Sequence, residues 1–134
     1  MGTRGKKSAE ALSVVTVMPE RPRPPAELNG QERDVWNATV NAHPGGWIAR
    51  DSFPILIQYC RHTVRALRIA QLIQQEEDED DFNPDRWAKL LDLQNRETKT
   101  ILALARSMRL THQSRIRADS AKARPHEGGP RPWE

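Results

Sequence analysis

The chain contains a single cysteine, Cys60, so no disulfide can form within it, and a reducing compartment is the expected setting. Aromatic residues make up 5% of its 134 positions and hydrophobic residues 37%. So little apolar material supports one domain with a modest core of about 80 residues, a size that often gains burial by oligomerising. No apolar run approaches the roughly 20 residues of a membrane span. The basic N-terminus, with Arg4, Lys6 and Lys7, is followed by neither the sustained apolar region nor the cleavage pattern of an export signal. The expectation is a cytosolic protein with no membrane partner.

The groupings that carry catalysis are equally sparse. The four histidines, His43, His62, His112 and His126, stand at no metal-ligand spacing. Gly45-Gly46 and Gly128-Gly129 are isolated pairs, not loops that cradle phosphate. Ser114 lies two residues from His112 in a basic segment, which is no nucleophile–base arrangement. Residues 76–81 are six consecutive acids without the glycine punctuation of a calcium loop, so they read as a solvated charge run. No enzyme, cofactor or metal site is expected.

What the chain does have is helical periodicity, and the expected class is all-α. Two long helices are predicted, over residues 52–75 and from Asn83-Pro84 to Met108, joined by the acidic turn into an antiparallel hairpin. In the first, Leu56, Tyr59, Cys60, Thr63, Leu67 and Ala70 recur at three- and four-residue steps on one face. Cys60 is then a small core residue. In the second, Trp87, Leu90, Leu91, Ile101, Leu102, Ala105 and Met108 form the apolar stripe, with Lys89, Arg96, Lys99 and Arg106 away from it. Each helix is about 24 residues, or roughly 36 Å, and the short connection makes each the other's partner. Acids are unfavourable at a helix C-terminus, so the first helix is expected to fray near Gln75. Asn83 caps the second, with Pro84 at its first position. A shorter helix precedes the hairpin. Asn29-Gly30-Gln31-Glu32 has the form of a capping box, Val35, Trp36, Thr39 and Val40 share one face, and His43-Pro44-Gly45-Gly46 ends it. Trp36 and Trp47 are expected to pack on the hairpin.

The expected organisation is a flexible basic and Pro-rich arm over 1–27, a helical core over 28–110, and a basic, largely disordered tail over 111–134. Within the arm, Arg21-Pro22-Arg23-Pro24-Pro25 forbids regular helix and favours an extended strut. The formal net charge is only +3, but it is unevenly spread. Arg106, Arg109, Arg115, Arg117, Lys122 and Arg124 gather in the C-terminal third, far along the chain from the acidic run. That distribution suits a protein that meets a polyanion.

Several segments occur in an order that resembles the small subunits of bacteriophage terminases. They are the 21–28 run Arg-Pro-Arg-Pro-Pro-Ala-Glu-Leu, Val35-Trp36, Tyr59-Cys60-Arg61-His62, Arg96-Glu97-Thr98, and Leu110-Thr111-His112-Gln113-Ser114-Arg115. The last is the most specific. The resemblance implies a non-catalytic helical protein of the infected host cytoplasm that forms a homo-oligomeric ring of roughly eight to twelve subunits. It implies binding of double-stranded viral DNA at the start of genome packaging. It also implies delivery of that DNA to the terminase large subunit, which holds the ATPase and nuclease. The chain departs from some members in showing no helix-turn-helix recognition helix, so backbone contact by basic segments is the expected mode.

On this reading the candidate nucleic-acid contacts are Arg109, Arg115 and Arg117, with Lys6 and Lys7 as arm contacts and Arg61, Arg65 and Arg68 as a surface stripe. The candidate subunit contacts are Trp36, Trp47 and Trp87, together with Glu97. Glu97 falls among the apolar positions of the second long helix and needs a partner, expected to be an arginine of the first long helix or of a neighbouring subunit. The alternative is a helical protein–protein adaptor whose basic tail binds an acidic partner. A small transcriptional regulator would need the recognition helix the chain lacks.

Overall fold

The computed structural model describes residues 19–112, which are all-α. Helix α1 (Gly30–Asn41) leads through a loop and a 3-10 turn (Arg50–Ser52) into α2 (Phe53–Asp78), and α3 (Pro84–Ser107) returns antiparallel along α2. The hairpin with a shorter preceding helix is as the periodicity predicts. The capping box of α1 is present: Asn29 Oδ1 accepts from Glu32 N at 3.0 Å, and Glu32 Oε2 accepts from Asn29 N at 2.9 Å. Asn83 caps α3 by accepting from the backbone of Asp85 and Arg86.

Helix α2 is central and uses two faces. Leu56 and Cys60 face α1 and, with Leu28, Trp36, Val40, Ile48 and Met108, form the buried core. Burial pushes the Cys60 thiol up to about 12, so it stays protonated at neutral pH. The second face, carrying His62, Ala66, Ile69 and Ile73, is shielded by α3. From α3, Trp87, Gln94, Ile101 and Met108 repeat every seven residues, with Leu90, Glu97 and Leu104 between them.

Three residues of the expected stripes are exposed. Leu67 is 58% exposed, Leu102 is 45% exposed, and Ala70 is exposed. The reason is length. At 1.5 Å per residue α1 is about 18 Å and α2 about 39 Å, so α1 runs out before Leu67 and Ala70, which continue the α1-facing stripe. Leu102 sits on a flank of α3, beside its buried face.

The domain also begins earlier than residue 28. Residues 19–27 are a strap laid across α1 and the following loop. Trp36 Nε1 donates to Pro22 O at 3.0 Å, Arg33 reaches Ala26 O, and Glu27 pairs with Arg61. Gly45 is obligatory under this strap, since a Cβ there would lie 2.5 Å from Pro19 O. Gly46 follows with φ 76°. The remainder of the expected arm and tail, 1–18 and 113–134, lies outside the described residues.

The acidic turn is more structured than a solvated charge run. Helix α2 does not fray at Gln75 but continues to Asp78, three positions further. The cause is Glu76, whose side chain is only 5% exposed. Its carboxylate accepts from Asn83 N at 2.8 Å and from Arg86 Nη1 at 3.2 Å, tying the last turn of α2 to the first of α3. Trp87 Nε1 adds a bond to Glu77. These bonds outweigh the unfavourable placement of acids at a helix C-terminus. Glu76→Ala should therefore lower stability by about 2 kcal/mol, while Glu76→Gln, which keeps an acceptor for Asn83, should lose about half as much. Equilibrium urea unfolding checks the order, and equal losses from the two would reject the backbone contact as the main contribution.

Candidate nucleic-acid interface

Because α2 and α3 are antiparallel, the N-terminus of α2 and the C-terminus of α3 share one end of the hairpin and the acidic turn occupies the other. At the open end, the strap and the loop after α1 frame a groove of about 760 Å³. Arg21 and Arg23 come from the strap and Arg50 from the 3-10 turn, with Pro22, Ile48 and Phe53 as apolar wall. The wall is firm: Phe53 packs edge-on against the fully buried Trp36, with ring centroids 5.6 Å apart. Arg21, Arg23 and Arg50 are exposed. Among the described residues only Arg23 of the three makes an ion pair, with Glu20, itself part of the groove lining, at 4.0 Å.

A second depression, of about 240 Å³, lies on the other side of Ile48 and Ala49 and is bordered by Trp47, Ser52 and Arg109. Arg109 is set there by the end of α3. Its N–H donates to Arg106 O at 3.0 Å and that of Leu110 to Ala105 O at 2.9 Å, a Schellman motif. The residue in the left-handed position of that motif is usually glycine, yet here it is Arg109, with φ 57°. Leu110 turns back onto the core, and Arg109 is left exposed.

The other expected site residues divide sharply. Arg65 and Arg68 are exposed on α2. Arg61 is not an open cation, because it reaches Glu27 at 3.1 Å and anchors the strap. Trp36, expected at a subunit contact, is fully buried within the chain, because the strap supplies both cover and a hydrogen-bond acceptor. Trp47 is half-buried beside His43, and its indole N–H is buried without a partner among the described residues. The carbonyl oxygen of Thr39, 2.7 Å from His43 Nδ1, can only accept, so that nitrogen carries a proton. Trp87 is half-buried at the acidic turn.

Glu97 is paired as its burial requires, but with His62 rather than an arginine: His62 Nδ1 lies 2.5 Å from Glu97 Oε2. Helical phase decides this. His62 shares the α3-facing side of α2 with Ala66 and Ile69, whereas Arg61, Arg65 and Arg68 lie on the adjacent side. The pair is internal to the hairpin, so Glu97 is not left free for a neighbouring subunit. Lys6, Lys7, Arg115 and Arg117 lie outside the described residues.

Sequence reasoning missed Arg21, Arg23 and Arg50 as one set, since they are separated by a helix and a loop. The available signal was Gly45-Gly46, which marks a close backbone approach, together with a Trp36 indole in need of an acceptor.

Among the described residues no three His, Cys, Asp or Glu side chains come together to hold a metal ion. None of the described helices is long and apolar enough to cross a membrane. The chain matches no family model, no curated protein and no solved structure.

Arg109→Gly should stabilise the fold by about 1 kcal/mol by relieving the left-handed backbone, and Arg109→Val should destabilise it. Thermal or urea unfolding of the two variants checks the sign, and a Gly variant less stable than the parent would mean that the Arg109 side chain makes a stabilising contact.

Proposed function

We propose that the chain is a non-catalytic, ring-forming DNA-binding subunit of the small-terminase type, which binds double-stranded viral DNA and presents it to a large ATPase and nuclease subunit. The observation that carries this reading is the separation of charge along the hairpin. Arg109 stands exposed at the open end, where the basic sequence containing Arg115 and Arg117 joins the core, and the acids of residues 76–81 occupy the other end. The distance between them, set by α3, is roughly 36 Å, several Debye lengths at physiological salt. A polyanion is thus drawn to one end and repelled from the other. Arg65 and Arg68 extend the positive surface along α2. Arginines in this arrangement contact phosphates and not base edges, so affinity is dominated by counterion release.

The test is affinity for duplex DNA as a function of salt. Replacing Arg109, Arg115 and Arg117 by alanine should weaken binding about equally for packaging-site and random duplexes. The log–log salt slope should become shallower by roughly 3, about one unit per lost phosphate contact. A chain whose affinity for duplex DNA does not change with salt would overturn the reading and favour an adaptor that binds an acidic protein.

A further inference from the structure

We infer that the groove formed by Arg21, Arg23 and Arg50 receives the acidic turn of a second copy of this chain. The inference deepens the assembly part of the reading above and rests on it. The groove presents three guanidinium groups and one carboxylate, that of Glu20 at 4.0 Å from Arg23, around an apolar wall of Pro22, Ile48 and Phe53, and so keeps a net positive charge. A phosphodiester backbone would satisfy the arginines but leave that wall without a partner. The turn at the other end of the hairpin offers the matching pair of properties. Its side chains at 76–78 are engaged within their own chain: Glu76 with Asn83 and Arg86, Glu77 with Trp87, and Asp78 with Gln74. Glu79, Asp80 and Asp81 make no ion pair or side-chain hydrogen bond among the described residues and are exposed. Directly after them Phe82 is 43% exposed, its ring propped edge-on against Trp87 at 6.0 Å. Three unpaired carboxylates beside a projecting aromatic meet three arginines beside an apolar wall.

Both surfaces are fixed before they meet. The groove is held by the Trp36–Pro22 bond and the Pro19–Gly45 approach, and the turn by Glu76. Little ordering cost then falls on association. Because turn and groove lie at opposite ends of one chain, the contact runs head to tail, which generates a ring where the rotation closes and a filament where it does not. It also neutralises the acids that would otherwise repel DNA, while leaving Arg109 outside the groove.

The experiment uses two full-length variants altered at opposite ends. One carries Arg23→Glu and Arg50→Glu, the other Asp80→Arg and Asp81→Arg. All four positions are exposed, and circular dichroism and melting verify that the fold is kept. Size-exclusion chromatography with light scattering should show each variant alone well below the mass of the parent oligomer. Their mixture should recover mass toward that of the parent oligomer, because the native turn meets the native groove and the arginine-bearing turn meets the glutamate-bearing groove. Either variant retaining the parent mass, or a mixture that stays at the masses of its components, would overturn the contact. Duplex-DNA affinity of the same samples separates the two readings. A groove variant with parent mass and weakened DNA binding would assign the groove to phosphate, overturning this contact and leaving the DNA-binding reading intact. A monomeric parent chain would overturn both.

Discussion

A buried carboxylate at the tip of the hairpin fixes the geometry of everything else. Glu76 holds the backbone of Asn83 and the guanidinium of Arg86, and so sets where α3 starts relative to where α2 ends. That setting decides which residues of the two helices meet. Half-way along, it brings His62 opposite Glu97. At the far end, it returns Met108 and Leu110 to the cluster built by α1, Trp36 and Leu56. A slip of one residue would rotate α3 by about 100° and strand Glu97 against apolar neighbours without a partner.

The chain gathers most of its fully buried apolar residues at the open end. Leu28, Trp36, Ile48, Leu56, Cys60 and Met108 are all there, while the rest of the hairpin is held by a narrower seam and two polar contacts. Leu67, Leu72 and Leu93 remain exposed as a consequence. The well-packed end is therefore the end that carries a groove, a strap and a strained Arg109. The lightly packed end presents free carboxylates and Phe82. Rigidity under the arginines, with charge of opposite sign held a full helix length away, is an arrangement suited to binding a polyanion and to joining copies end to end.

Much of this was legible from residue spacing. The capping box at Asn29 and the Asn83-Pro84 start of α3 are local signals, and each element formed where its signal stood. What was not legible depended on lengths and on contacts between segments. The stripe at Leu67 and Ala70 promised burial that a 12-residue α1 cannot supply. The acids after Gln75 looked like a helix stop, because the partner that stabilises Glu76 lies across the turn. The strap at 19–27 reads as a tether until Trp36 needs an acceptor and Gly45 leaves room for Pro19. The arginine groove was hidden for the same reason: its members come from segments that only the strap brings together.

The central claim, that the buried Glu76 carboxylate locks the hairpin, is tested most directly by native-state hydrogen exchange at the Asn83 amide. This N–H belongs to no helical ladder and is held only by the Glu76 carboxylate. If the lock opens only when the hairpin comes apart, the Asn83 amide should exchange with the same free energy of opening as the amides of Ile73 and Leu90 in the adjoining helices. Exchange of Asn83 as fast as the neighbouring Asp80 and Asp81 amides would show a turn that opens on its own, and would contradict the account.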